Sequence, residues 1–86
     1  MTAPGPHPSA GPATLKAFRD ARRVSQSRLA ERAGFDHSYI SRVESGARDP
    51  APDTIAKIAA ALELNPADAG RLHAAFGFLP ADTSVL

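Results

Sequence analysis

The segment 25–46, SQSRLAERAGFDHSYISRVESG, constrains the fold of this chain more than any other. It contains two stretches with helical spacing, one on each side of Gly34. The apolar residues on their inner faces are Leu29, Ala30, Ala33, Ile40 and Val43. Because glycine adopts a positive φ at little cost, Gly34 can end the first helix and turn the chain steeply. The segment therefore predicts two short helices that cross closely.

The opposite face of the second predicted helix is polar. Its side chains are short or form hydrogen bonds: His37, Ser38, Ser41, Arg42 and Ser45. A guanidinium group can bridge O6 and N7 of guanine, and hydroxyls bind base edges and phosphates. Asp36, just before this helix, is a suitable N-cap. The pattern indicates a helix-turn-helix unit whose second helix enters the DNA major groove.

The basic residues of the chain are concentrated around this segment. The net charge of the whole chain is only +1, but residues 15–48 carry eight basic and four acidic side chains. Residues 49–86 carry two basic and five acidic side chains. Since a local excess of positive charge attracts phosphates, this distribution favours double-stranded DNA as the partner.

Length and composition argue against other functions. With 86 residues, the chain has room for one small core. It has no cysteine, and His7, His37 and His73 lack ligand spacing, so we expect no disulfide, metal or cofactor. No apolar run approaches the roughly 20 residues that span a bilayer, and the N-terminus lacks a signal peptide. No nucleophile and base stand at a recognisable spacing. We therefore expect a cytoplasmic protein that is not an enzyme.

The pattern predicts five helices between two tails. Residues 1–12, rich in proline and glycine, predict a flexible tail, and residues 77–86 form a second tail. The predicted helices span 13 or 14 to 22 or 23, 26–33, 37–45, 53–62 and 66–76. Further predicted inward residues are Leu15, Phe18, Ala21, Ile55, Ile58, Ala59, Leu62, Ala69, Leu72 and Phe76. Asn65 and Pro66 are a suitable N-cap and first-turn residue for the fifth helix.

The stretch from Leu15 to about Leu64 resembles the helix-turn-helix domain of the Cro and phage-repressor class, also called the XRE class. The resemblance rests on LKAFRDARRVSQ, LAERAG and YISRVESGARDPAPDTIAKIAAAL, which follow one another in this order. It implies an all-α, five-helix, lambda-repressor-like domain at residues 13–76, with the helix-turn-helix formed by the second and third helices. It also implies a bacterial, DNA-binding transcriptional regulator.

The same resemblance implies roles for individual residues. Those expected to touch base edges are His37, Ser38 and Arg42. Those expected to touch the DNA backbone are Ser25, Gln26, Tyr39, Ser41, Ser45 and Arg48. Arg28 departs from the family pattern, in which many relatives carry an acid here, and we expect its positive charge to favour the DNA backbone as well. Arg19 and Glu44 match positions that form a partly buried ion pair between the first and third helices. Several roles stay open. Arg42 binds either guanine or a phosphate, His37 either donates to DNA or is solvated, and Tyr39 either reaches a phosphate or packs within the protein. Three further arginines either contact phosphates or are solvated: Arg22, Arg23 and Arg32.

The resemblance implies that one domain binds half of a DNA site. We therefore expect two chains to bind a complete site as a homodimer. Phe76, Phe78 and Leu79 are the candidate dimer contacts, because they add apolar surface near the C-terminus. In the alternative, Phe76 and Leu79 complete the core of their own protomer. The expected function is repression at a palindromic operator. The alternative is an antitoxin, or a regulator controlled by a small partner protein, which would dock on the apolar tail.

Overall fold

The structure, a computed structural model, describes residues 10–78. This part of the chain forms five α-helices and contains no strand. The helices are α1 (Ala10–Ala21), α2 (Gln26–Ala33), α3 (Tyr39–Glu44), α4 (Pro52–Ala61) and α5 (Pro66–Ala75). Helix α1 packs on α3 and α5, α2 packs on α3 and α4, and α4 packs on α5. The predicted all-α fold, with α2 against α3, is confirmed.

All five helices contribute to one apolar core. The large side chains that are fully buried are Leu15, Leu29, Ile40, Val43, Ile55, Ile58, Leu62 and Leu72. The inner faces predicted for the second, third and fourth helices are confirmed, except that Ala33 is only half-buried. On α1 the prediction was wrong at Ala21, which is exposed. The buried stripe of α1 runs through Leu15 and Arg19, and Ala21 lies about 200° around the helix from Arg19.

Helix α1 begins three residues earlier than predicted. Its start at Ala10 places Gly11 beneath the Phe76 side chain, where a Cβ atom would lie within 2.6 Å of three ring atoms. Pro12 is tolerated in the first turn because its missing N–H would have no partner there. The prediction that residues 10–12 belong to a tail was therefore wrong. Residues 1–9 of the predicted tail lie outside the described residues.

Helix α3 is shorter than predicted, and its N-terminus is built differently. Residues 37 and 38 form a turn, and Ser38 rather than Asp36 is the N-cap. The carbonyl oxygen of Asp36 accepts the N–H of Tyr39 at 3.0 Å, while its carboxylate binds Ser38. Asp36 therefore stabilises the turn before the helix rather than the first helical turn itself. At α5 the predicted N-cap is confirmed, since Asn65 accepts the N–H of Asp68 at 2.8 Å.

Two helices end in residues with left-handed backbone that are not glycine. Arg23 follows α1 with a φ of 55°, and Glu63 follows α4 with a φ of 56°. Each end closes with a hydrogen bond across five residues, from Val24 N–H to the Arg19 carbonyl and from Leu64 N–H to the Ala59 carbonyl. A side chain in this conformation costs about 1 to 2 kcal/mol. These two positions therefore carry local strain.

We expect Glu63→Gly to raise the free energy of unfolding by about 0.5 to 1 kcal/mol, because relief of the strain exceeds the entropic cost of glycine. For a domain of this size, that corresponds to a Tm higher by about 2 to 8 °C. The matched control is Glu31→Gly in the middle of α2, which should lower stability by about 1 kcal/mol. Denaturant titration measures both variants. A Glu63→Gly protein no more stable than wild type would contradict the prediction.

Candidate nucleic-acid interface

The glycine turn fixes the angle between α2 and α3. Gly34 ends α2 with a φ of 83°, and the N–H of Phe35 donates to the Ala30 carbonyl at 2.8 Å. Beyond the turn, Ile40 and Val43 are fully buried and hold α3 against the core. The exposed side chains on the other side of this segment are His37, Ser41, Arg42 and Ser45. Burial of one face therefore presents the opposite, polar face to solvent.

Ser38 lies half-buried at the start of this polar face. Its hydroxyl donates to Oδ2 of Asp36 at 2.8 Å, and its backbone N–H donates to the same oxygen at 3.4 Å. These two hydrogen bonds, the hydroxyl one foremost, hold the pKa of Asp36 below its usual range. Because the hydroxyl hydrogen is engaged, Ser38 Oγ offers acceptor lone pairs outward. It therefore suits the amino group of adenine or cytosine rather than O6 and N7 of guanine.

Arg42 is the longest side chain on the polar face. Its side chain is exposed and forms no ion pair with any carboxylate of residues 10–78. Its backbone carbonyl accepts the N–H groups of Ala47 and Arg48 at 2.9 and 3.2 Å. The guanidinium is therefore available to a ligand, while the backbone of the same residue anchors the following loop. Arg48, on that loop, is exposed as well.

Two side chains that were predicted to contact the DNA backbone have partners within the protein. The Ser45 hydroxyl donates to the Arg42 carbonyl at 3.0 Å and accepts the Ala47 N–H at 3.4 Å, so it closes the end of α3. The Tyr39 ring packs on Phe35, with centroids 4.7 Å apart and an interplanar angle of 30°. For the Tyr39 ring, the structure favours packing within the protein, the second of the two roles that the sequence left open.

Ser25 and Gln26 lie at the N-terminus of α2. Ser25 is the N-cap, and its side chain accepts the N–H of Arg28 at 3.0 Å. Gln26 Nε2 donates to Oε1 of Glu44 at 3.0 Å, which leaves one amide hydrogen for another acceptor. The first N–H groups of a helix have no partner within it and favour an anion. This end of α2 is therefore suited to a phosphate.

Glu44 connects three helices. Its carboxylate accepts Arg19 Nε at 2.7 Å and Arg19 Nη2 at 3.0 Å, in addition to Gln26. Arg19 Nη1 donates to the Val24 carbonyl at 2.9 Å. Hydrogen bonding to Glu44 raises the pKa of Arg19 and outweighs the opposing effect of burial. The ion pair thus holds α1, the α2 N-terminus and α3 in one arrangement.

Six arginines form no ion pair within residues 10–78. They are Arg22, Arg23, Arg28, Arg32, Arg42 and Arg48. The other four basic residues each contact a carboxylate: Lys16, Arg19, Lys57 and Arg71. All six arginines lie in the segment that carries the α2 N-terminus and α3. Within the described part of the chain, none of the six guanidinium groups is therefore held by a carboxylate in an ion pair.

Sequence reasoning missed that four of these arginines share a groove. The turn after α1 lies beside the turn after α4, and the Arg22 guanidinium donates to the Glu63 carbonyl at 3.4 Å. Arg28 and Arg32 complete the wall from α2. A local pattern identifies the two α2 residues as one helix face, but the approach of two distant turns is visible only in the folded chain.

Two of the three candidate dimer residues lie against the protomer itself. Phe76 and Phe78 are half-buried and pack on the core, and the Phe76 side chain covers Gly11. For Phe76, this packing matches the alternative in which the residue completes its own core. Leu79 lies outside the described residues. Within residues 10–78, no helix is long and apolar enough to cross a membrane, and no three acidic or histidine side chains cluster as a metal site.

A short helix with a polar outer face, held by a glycine turn to a helix whose N-terminus suits a phosphate, defines a helix-turn-helix DNA-binding domain. Comparison with known families agrees, since residues 13–72 match the helix-turn-helix domain family. The chain belongs to this family, as its resemblance to the Cro and phage-repressor class implied.

Known proteins similar to the chain bear related names. An uncharacterized HTH-type transcriptional regulator of Mycobacterium tuberculosis is 38% identical over 71 residues, which is 81% of this chain and 49% of the relative. The HTH-type transcriptional repressor RghR of Bacillus subtilis is 41% identical over 51 residues, 58% of this chain and 38% of the relative. The chain thus spans about half or less of the length of these relatives.

A solved structure also resembles the fold. It is described as a hypothetical transcription factor, NHTF, from Neisseria, and it aligns with a TM-score of 0.64 at 28% identity. The alignment covers 96% of this chain and 92% of that chain. The similarity therefore extends beyond the helix-turn-helix to the whole arrangement of helices.

Proposed function

We propose that the protein is a sequence-specific DNA-binding transcriptional regulator. The observation that carries this proposal is the set of six arginines without carboxylate partners, all between residues 22 and 48. Guanidinium groups that lack a partner in the protein gain most from phosphates, because binding releases counterions from DNA. The names of the relatives support the same function.

In the proposed complex, α3 lies in the major groove. Arg42 binds guanine through O6 and N7, while His37 and Ser38 contact neighbouring base edges. The N-terminus of α2, with Ser25 and Gln26, binds a phosphate on one side of the groove. Side chains proposed to complete the backbone contacts are Arg28, Tyr39, Ser41, Ser45 and Arg48. Backbone contacts set the position of α3, and base contacts supply the sequence preference.

We further propose that the protein is a repressor. It acts as a homodimer in the bacterial cytoplasm by occupying a palindromic operator. One helix-turn-helix domain covers half of a site, and two related by a twofold axis cover a palindrome. The relative from Bacillus subtilis is named a repressor, which supports repression rather than activation. The exposed parts of Phe76 and Phe78, together with Leu79, are the proposed dimer contacts.

Selection from a library of genomic fragments tests the proposal. We expect the wild-type chain to recover a palindrome with half-site centres about 10 base pairs apart. Light scattering should give the mass of two chains on this site. A single half-site bound by a monomer would contradict only the dimer. Recovery of no site, with equally weak binding to any duplex, would contradict the regulator and favour a function that depends on a partner protein.

A further inference from the structure

A second basic surface lies beside the N-terminus of α2. It is a groove of about 530 Å³ between the turn after α1, the outer side of α2 and the end of α4. Its charged lining consists of Arg22, Arg23, Arg28, Arg32 and Glu63, and we call it the arginine groove. No residue of α3 lines it. It is therefore a surface separate from the polar face of α3.

The positive charges in the arginine groove outnumber the single negative charge of Glu63. None of its four guanidinium groups forms an ion pair within the described residues, although Glu63 lies in the same groove. The contact between Arg22 and Glu63 uses the backbone carbonyl of Glu63 and not its carboxylate. Four cations and one carboxylate around a concave surface leave a net positive charge, which attracts a further anion. The groove is thus suited to an anionic ligand.

The groove is continuous with the phosphate site at the start of α2. Ser25, the N-cap of α2, is also part of the groove wall. On the other side of this N-terminus, Gln26 bonds to Glu44 of α3. Helical side chains incline toward the N-terminus of their helix, so Arg28 and Arg32 lean toward the same end. An anionic chain that contacts α3 and then crosses the N-terminus of α2 therefore reaches the arginine groove.

We propose that the arginine groove binds the phosphate backbone of DNA that flanks the half-site contacted by α3. The inference rests on the proposed function and extends it to a second set of contacts. These contacts lengthen the bound DNA without reading its bases, because guanidinium binding to phosphate is independent of sequence. They add affinity that depends strongly on salt.

The test compares wild type with the double variant Arg22→Gln, Arg32→Gln, which removes two charges from the groove and leaves Arg28, a proposed contact of the half-site itself, in place. Two DNA probes are used. The short duplex is the selected site, cut at the outer edges of its half-sites. The extended duplex is the same site lengthened by about 5 base pairs, half a helical turn, on each side. On the extended duplex, the slope of log affinity against log salt should be shallower for the variant by about 1.8 for each bound chain, or about 3.6 for the dimer. The affinity ratio of wild type to variant should then be larger at about 50 mM than at about 200 mM salt by about tenfold for each bound chain, or about 150-fold for the dimer. On the short duplex, most of this difference should disappear.

The matched control is Lys57→Gln, Arg71→Gln, which removes the same charge from residues paired to Asp53 and Asp68 elsewhere. Its slope should equal that of wild type. If the groove variant also keeps the wild-type slope on the extended duplex while sequence preference persists, the inference is overturned and the proposed function stands. That result would favour an acidic protein segment as the ligand. A wild-type chain with no sequence preference would overturn the proposed function itself.

Arg23→Gly separates binding from folding. Since Arg23 has a left-handed backbone, glycine should raise the Tm of the domain while it removes one phosphate contact. On the extended duplex, the slope should fall by about 0.9 for each bound chain, or about 1.8 for the dimer. A more stable protein with unchanged affinity and slope would exclude Arg23 from the groove contacts and count against the proposal.

Discussion

Replacing Glu44 with alanine should lower the free energy of unfolding by about 3 to 5 kcal/mol, because the buried Arg19 charge would keep only the distant, exposed Asp20 carboxylate at 3.6 Å. The Glu44 and Arg19 side chains are 6% and 11% exposed. The Arg19 guanidinium donates three hydrogen bonds. Two go to the Glu44 carboxylate, and the third goes to the Val24 carbonyl. Gln26 would lose its partner as well. Small domains have about 5 to 15 kcal/mol of stability, so the variant would lie near its unfolding transition.

Urea titration at low temperature measures this loss. The matched control is Lys16→Ala, which breaks the exposed pair with Asp20 and should cost no more than about 1 kcal/mol. The double variant Arg19→Met, Glu44→Leu should recover most of the stability, because an apolar pair leaves no buried charge. A loss below about 1 kcal/mol for Glu44→Ala would show that the ion pair does not hold α1 to α3.

Arg42→Ala should remove discrimination at one base pair per half-site, worth about 1 to 3 kcal/mol, or about 5-fold to 150-fold in relative affinity. Because the Arg42 side chain is exposed and has no carboxylate partner within residues 10–78, the folded state should lose little stability. Competition binding with each base pair substituted in turn measures the discrimination.

Arg42→Lys decides between the two roles that the sequence left open for this residue. Lysine keeps the charge but cannot form the planar, bidentate contact to guanine. If Arg42 binds guanine, Arg42→Ala should lose the discrimination and Arg42→Lys should keep only part of it, because the ammonium still donates to guanine without the planar fork. If Arg42 binds a phosphate, lysine should restore affinity, and neither variant should change the preference for any base pair. The second pattern would contradict the proposed role of Arg42.

Local patterns predicted the central part of the fold well. The bounds of α2 at residues 26 and 33 follow from Ser25 before it and Gly34 after it, which are effects within one helical turn. The buried stripe of α4 follows from apolar spacing alone. Arg19 and Glu44 were matched through the family resemblance, and the structure brings their side chains to 2.7 Å. These features could be predicted because they depend on residues close together in the sequence, or on family motifs that occur in the same order in this chain.

The features that local patterns missed depend on contacts between distant residues. The early start of α1 brings Gly11 against the Phe76 ring, 65 residues away in the chain. The arginine groove needs the turns at Arg23 and Glu63 to come together, and neither position is a glycine that would mark a left-handed turn. The carboxylate of Asp36 binds Ser38 rather than capping α3, since two residues of turn separate Asp36 from the helix.

The central claim is that α3 reads base sequence. The most direct test is the affinity of the wild-type chain for its selected site, compared with a shuffled duplex of the same length and composition, at physiological salt. Because base contacts add to the phosphate attraction common to all DNA, we expect a ratio of at least about 1,000. A ratio near one at every salt concentration would contradict the claim, because the arginines would then bind DNA only through its phosphates.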